Sequence, residues 1–435
     1  MDLEMYQEYF QQGEVLLSAG NYEVALSTLK KAAEIDPNHA DLYVDMGIAL
    51  VNLDQLDEAE KIFKKALYVD KKCGEAYFHI GCVQGLKGDF ASAIANIDTA
   101  RVNGYDNSQL YYTLGMMYEE QGDTNMALRN YNKALSIDQT RPDIHLQKCN
   151  LLITENRLQD AIEAADSMIK CCPDYFEGYH LKSSLCCDLN KFDEAEQTLN
   201  NGIEMFPDEV GFKVDKSRVL ISQKKYDDAQ KLLTELEPIA DEWKREVIME
   251  EVRLAGLQEK PDETLNLLEK AYSEFSSAEK PDEEICYLLM SVCQTLKKHD
   301  RVIKVAQDLI KVSNNKTYVN IAYFYSALSQ KELGNTEVAN EAFRDTVKHC
   351  RATALADPAA LDAYMIRALS LNQLGENDAA LEMIDYVMAL APDSAEVHSA
   401  KAVILKSMDR IDEMNKEVEI VNSKGGALGN IVSAL

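Results

Sequence analysis

Apolar residues along the chain recur in steps of three and four, the spacing that gathers them on one face of an α-helix. Tyr43, Met46, Gly47 and Leu50 form one such stripe, and Ala59, Ile62, Phe63 and Ala66 form the next. Between stripes stand residues that stop one helix or cap the next: Gly20-Asn21, Asp54-Gln55, Gly88-Asp89, Gly122-Asp123, Asn156 and Asn190. Prolines in Asp36-Pro37, Cys172-Pro173, Phe206-Pro207 and Ala391-Pro392 close second stripes, because a residue without an N–H cannot continue the helical ladder. The pattern predicts an all-α chain of antiparallel helix pairs joined by short turns.

The pairs repeat with one period. Ala25, Ala59, Ala93, Ala127, Ala161, Ala195 and Ala229 are each 34 residues apart. Gly13, Gly47, Gly81 and Gly115 keep that spacing and continue as the small residues Cys149, Ser183 and Ser217; Tyr9, Tyr43, Tyr77 and Tyr111 continue as His145 and Tyr179. A small residue on one helix lets its partner approach until bulky positions interdigitate, so the period predicts stacked units that share a continuous core. The unit has an aromatic at position 4, a small residue at 8, Ala at 20, an aromatic such as Phe63, Tyr131 or Phe343 at 24, Ala at 27 and Pro at 32. This resembles the tetratricopeptide repeat, with units beginning near residues 6, 40, 74, 108, 142, 176 and 210. The resemblance covers nearly the whole chain in about twelve units and implies an α-solenoid, a right-handed superhelix of helix pairs.

The expected organisation is a block of seven regular units over 6–243, two divergent helical repeats over 244–316, about three units with a polar capping helix over 320–428, and a tail over 429–435. Asp241 to Glu283, with two Lys-Pro-Asp turns, is the expected irregular joint, and Arg351 to Ala360 holds about seven extra residues. Coverage by repeats leaves no segment for an appended catalytic or DNA-binding domain.

Composition narrows the partners. With 45 Lys+Arg against 74 Asp+Glu the chain carries a formal charge of −29, so a phosphate backbone would be repelled, and nucleic acid is not an expected partner. The start lacks a basic segment followed by an apolar one, and no apolar run approaches the length of a membrane span; a cytoplasmic, non-inserted protein is expected. Ten cysteines without any CxxC read as reduced thiols, not as a disulfide framework or a zinc signature. His145 and Cys149, four residues apart, could share a metal, but they fall on packing positions 4 and 8. Cys171-Cys172 and Cys186-Cys187 are likewise read as core, with Cys187 alone at a groove-facing position. Scattered histidines, and glycines such as Gly81, Gly85 and Gly88 that are explained by helix approach and turn, leave no foothold for an enzyme; neither cofactor nor metal is expected.

In tetratricopeptide repeats the first helix of each unit lines the concave face. The resemblance therefore implies a peptide-binding stripe of Phe10, Val44, Phe78 and Tyr112 at position 5 with Glu14, Ile48, Cys82 and Met116 at position 9. Asp41, Asp45, Glu75 and Glu119 flank it. An apolar groove rimmed by carboxylates suits a basic, amphipathic segment; the same residues would serve equally as packing between adjacent first helices. The family's clamp for acidic chaperone C-termini needs Lys, Asn and Arg where this chain has Phe10, Glu14, Asp45, Glu75 and His79, and is excluded here. The expected function is a non-enzymatic scaffold or adaptor with a protein or peptide partner. A peptide receptor whose superhelix changes pitch, or a self-assembling scaffold, remain alternatives; monomer and homo-oligomer are both open.

Overall fold

The computed structural model describes residues 2–238, 241–277 and 279–423. Apart from one 3₁₀ turn at Asp241–Trp243, its regular elements are 24 α-helices, and its contacts divide it into two compact units, Met1–Phe212 and Lys213–Leu435. In the first, α1 (Asp2–Ser18) packs on α2 (Tyr22–Ile35), α3 (Ala40–Asn52) on α4 (Leu56–Val69) and α5 (Gly74–Leu86) on α6 (Phe90–Val102). It continues with α7 (Ser108–Glu120) on α8 (Thr124–Ile137), α9 (Pro142–Thr154) on α10 (Leu158–Cys171) and α11 (Glu177–Asp188) on α12 (Phe192–Met205). Next come α13 (Val210–Ser222), which spans the boundary, and α14 (Tyr226–Leu236). In the second unit α15 (Lys244–Leu257) packs on α16 (Pro261–Phe275), α17 (Glu283–Thr295) on α18 (His299–Val312) and α19 (Lys316–Glu332) on α20 (Thr336–Ala356). The last pairs are α21 (Leu361–Gln373) on α22 (Asn377–Leu390) and α23 (Ala395–Ser407) on α24 (Ile411–Ser423). The tail expected from 429 lies outside the described residues.

Each pair is held by one recurring contact. A Cβ added to Gly47 would lie 2.3 Å from the Phe63 ring, one on Gly115 2.3 Å from the Tyr131 ring, one on Gly81 2.6 Å from Ile97 and one on Gly13 2.4 Å from Leu29. These are positions 8 and 24 of successive units. The seven position-20 alanines, Ala25 to Ala229, are all fully buried. In the fifth unit the sizes relax together, with Cys149 on the first helix and Ala165 on the second, both fully buried.

The turns repeat as strictly. Gly20, Asp54, Gly88, Gly122, Asn156, Asn190 and Lys224 all have positive φ and are 34 residues apart. At each the chain closes the same bond pair, as in Gly20 N to Leu17 O and Asn21 N to Leu16 O, the left-handed cap that satisfies the last carbonyls of a first helix. The extra residues at 351–360 are taken up by lengthening α20 to 21 residues, with Cys350, Thr353 and Ala354 buried against the rest of the unit. α24 buries Val421 and is otherwise tied by polar contacts: Glu417 Oε2 lies 2.5 Å from Nδ1 of buried His398, and its other oxygen lies 3.4 Å from Lys401, which also reaches Asp385 at 2.8 Å. Among the described residues no helix is long and apolar enough to cross a membrane.

Overpacking a filled core site costs about 1–3 kcal/mol, and replacing a helix glycine by alanine returns up to about 1 kcal/mol. Gly47→Ala is therefore expected to destabilise by about 1–2 kcal/mol, seen as a lower urea midpoint. Adding Phe63→Leu should recover part of the loss, the mark of a shared contact.

Candidate functional site

In the first unit α1, α3, α5 and α7 lie side by side in sequence order, so residues at one repeat position form a row across them. Four of the expected residues come together there. Asp45 on α3 is half-buried and feels the charges of Glu14 from α1, Glu75 from α5 and Asp41 from its own helix. Burial first, and then those three carboxylates in that order, push its carboxyl up to about 7. Among the described residues no lysine or arginine forms an ion pair with Glu14, Asp41 or Asp45. Glu75 alone has an answering group: His79 Nε2 lies 3.9 Å from its Oε1 and holds the carboxyl below its ordinary range.

An aromatic bed supports the cluster. Tyr6 stacks on His39 at 4.5 Å and on Phe10 at 5.9 Å, while His39 Nε2 is 3.1 Å from Asp36. Burial, reinforced by Asp36, Asp41, Asp45 and Glu14, pushes the Tyr6 hydroxyl up to about 12, so it stays protonated and can donate. His79 lies flat on Phe63 at 5.3 Å. Phe10 and Ile48 are half-buried and pack on the edge of the core.

The rest of the expected stripe is placed differently. Val44 and Phe78 are 2% and 4% exposed, with Phe78 covered by the Tyr105 ring at 4.9 Å, and as they stand they offer a ligand no surface. Tyr112, Met116 and Glu119 sit on α7. Glu119 accepts from the Tyr131 hydroxyl and from Gln147 Nε2 at 3.0 Å, so its charge is spent within the repeat stack. Tyr112 lies 5.7 Å from the Arg141 guanidinium, itself held by Asp143 at 2.6 Å, and Met116 is exposed.

Tyr6, Asp36 and His39 were not among the residues expected from sequence. Tyr6 stands four residues before Phe10 on the same helix face, which was a usable signal; Asp36 and His39 belong to the turn after α2 and carried none. Buried His145 is pushed toward the neutral form, so its Nε2–H donates to Gln139 O at 3.0 Å, and Cys149 Sγ is 3.9 Å from Ala161 O; both side chains are core. Burial pushes the Cys82 and Cys149 thiols up to about 12 and the Cys186 thiol to about 11, away from nucleophilic reactivity at neutral pH.

Stacked two-helix units with one period define an α-helical repeat protein of the solenoid class. Residues 16–79, 108–141 and 326–395 match sequence families described as tetratricopeptide repeat. These three stretches of the chain are tetratricopeptide repeats. The chain is 23% identical over 295 residues to DnaJ homolog subfamily C member 3 of Bos taurus, covering 52% of this chain and 58% of that protein. To anaphase-promoting complex subunit 3 of Schizosaccharomyces pombe it is 23% identical over 138 residues, 32% of this chain and 21% of that one. The chain thus spans little more than half, or far less, of these curated relatives. Among solved structures, pilF of Pseudomonas aeruginosa aligns at 20% identity over 49% of this chain and 96% of its own, with a TM-score of 0.40.

Asp45 titrates at higher pH folded than unfolded, so charging it opposes folding: the penalty is absent below about pH 4, grows up to about 7 and is constant above. Asp45→Asn should accordingly stabilise the protein at pH 8 and leave it unchanged at pH 3–4, as read by urea titration at the two pH values. The gain should be roughly 1–2 kcal/mol, below what the shift alone implies, because solvent screens a cluster open on one side.

Proposed function

We propose that this chain is a non-enzymatic protein-interaction scaffold, and that the face of α1, α3 and α5 receives a lysine- or arginine-bearing segment of a partner protein. One observation carries the reading: among the described residues Glu14, Asp41 and Asp45 come together with no lysine or arginine in an ion pair with them, and burial, reinforced by the Glu14, Glu75 and Asp41 carboxylates, pushes the Asp45 carboxyl up to about 7. An arriving cation would supply the missing charge, Asp45 would release its proton, and the self-repulsion of the cluster would be relieved. Phe10 and Ile48 beside the carboxylates offer half-buried apolar contact for the stem of a long basic side chain. The tetratricopeptide-repeat matches support a binding role in general, and the names of the similar proteins, a subunit of the anaphase-promoting complex and BBSome complex member BBS4 among them, accord with work in assemblies.

The experiment is affinity capture from native lysate with wild type and with Glu14→Lys/Asp41→Lys, both on exposed positions, followed by titration of the captured partner at pH 6 and pH 8. The charge-reversed chain should lose the partner, and wild-type affinity should rise between pH 6 and pH 8 as the proton on Asp45 ceases to compete. Retention by the charge-reversed chain, or affinity that falls with pH, would overturn the proposal.

A further inference from the structure

Where the fourth and fifth repeats meet, the chain holds an amine unrelated to the acidic face. Position 7 of a first helix turns toward the second helix of the preceding repeat. In the second, third and fourth units it carries Met46, Ile80 and Leu114, which are 5%, 3% and 4% exposed, apolar side chains sealed between repeats. In the next two units the same position holds Lys148, on α9, and Lys182, on α11, both half-buried.

The fold answers only one of the two. Lys182 Nζ lies 2.7 Å from Asp166, on the second helix of the preceding repeat, and 3.3 Å from Glu194 of its own repeat. Burial favours the neutral amine there, but the two carboxylates together outweigh it and hold the Lys182 ammonium above its ordinary range.

One period earlier these partners are missing. Asn132 stands at the place of Asp166, and Asp160 at the place of Glu194, where it is held by Arg157 at 2.5 and 2.7 Å. Among the described residues no carboxylate forms an ion pair with Lys148. Cys149 from its own helix and Asp160 and Glu163 from α10 act on it only through space, and His145 on α9 feels its charge. Burial prevails over those three and pushes the Lys148 ammonium below its ordinary range.

A desolvated lysine without a counter-charge is an activated nucleophile. Its lone pair is free for a larger share of the time than that of a solvated lysine, and no ion pair has to break before it attacks. We propose that Lys148 is an acylation site, which takes an acyl group from a thioester. Nζ attacks the thioester carbonyl carbon and forms the C–N bond of an amide; the C–S bond breaks, and the proton lost from nitrogen leaves with the sulfur as a thiol. The product is neutral, so the modification removes a charge that the fold leaves unanswered. At Lys182 the same change would deprive Asp166 and Glu194 of their cation.

The test is incubation of the folded full chain with a limiting amount of S-acetyl-N-acetylcysteamine, followed by peptide mass spectrometry that reads the acetylated fraction at each lysine. Lys148 should react about tenfold faster than Lys182, the scale of the charge-assisted hydrogen bond that Lys182 must give up. It should also outpace exposed Lys170 on the same repeat by about threefold. In urea, where the fold is lost, the three rates should become equal. Lys148 titrates at lower pH folded than unfolded, so carrying the charge opposes folding, and Lys148→Gln should raise the urea midpoint at pH 7 while Lys182→Gln lowers it. A folded-state rate at Lys148 no higher than at Lys182 or Lys170, a preference that persists in urea, or a lowered midpoint for Lys148→Gln would each overturn the proposal.

Discussion

The approach of two helices across positions 8 and 24 is the constraint from which the rest of each repeat follows. Where the second helix carries Phe63 or Tyr131, the first has glycine, and no Cβ could be accommodated. Where it carries Leu199 or Leu233, the first has serine, and where it carries Ala165 the first has cysteine. The pair conserves a contact distance while its two members trade size, as close-packed interiors require. A helix pair drawn this close needs a tight turn, and the left-handed residue at 34-residue intervals from Gly20 to Lys224 provides it.

That contact also decides where charge resides. With one stripe of every first helix consumed by its partner, polar residues are confined to what remains, and several are answered between neighbouring repeats: Lys182 with Asp166, Arg218 with Glu250, Arg245 with Asp282, Arg301 with Glu269. Such bridges link repeats more than they strengthen them, since exposed pairs contribute about 0–1 kcal/mol. Against this background the carboxylates of α1, α3 and α5 differ. Among the described residues they meet only His79, and the Asp45 carboxyl is raised by burial first and by the neighbouring carboxylates second.

The second unit shows what happens when the period loosens. α16 runs to 15 residues and the chain from Ser276 to Asp282 is longer than the turns of the first block, tied by the bonds of the Ser276 hydroxyl to the Asp282 N–H and of Arg245 to Asp282. The first helices α17, α19, α21 and α23 each pack on the next, whereas α15 and α17 have a pocket between them. The divergent repeats thus exchange regular packing for a hollow.

The sequence by itself determined the helical class, the repeat and its turns, because these rest on spacing and on steric facts that belong to one residue type: glycine at close approach, asparagine or glycine at positive φ, proline at a helix end. It also named Glu14, Asp41, Asp45 and Glu75 as residues of neighbouring first helices, although they stand at different repeat positions and their convergence on Asp45 is a matter of tertiary structure. It could not decide that Val44 and Phe78 are covered, because burial at position 5 depends on a side chain from elsewhere; Tyr105, which follows α6, closes over Phe78. Nor could it show that Glu119 is spent on Tyr131 and Gln147 while, among the described residues, no lysine or arginine pairs with Asp45. Periodicity is a property of one chain segment, whereas exposure and charge balance are properties of several segments at once, and only the tertiary structure brings those together.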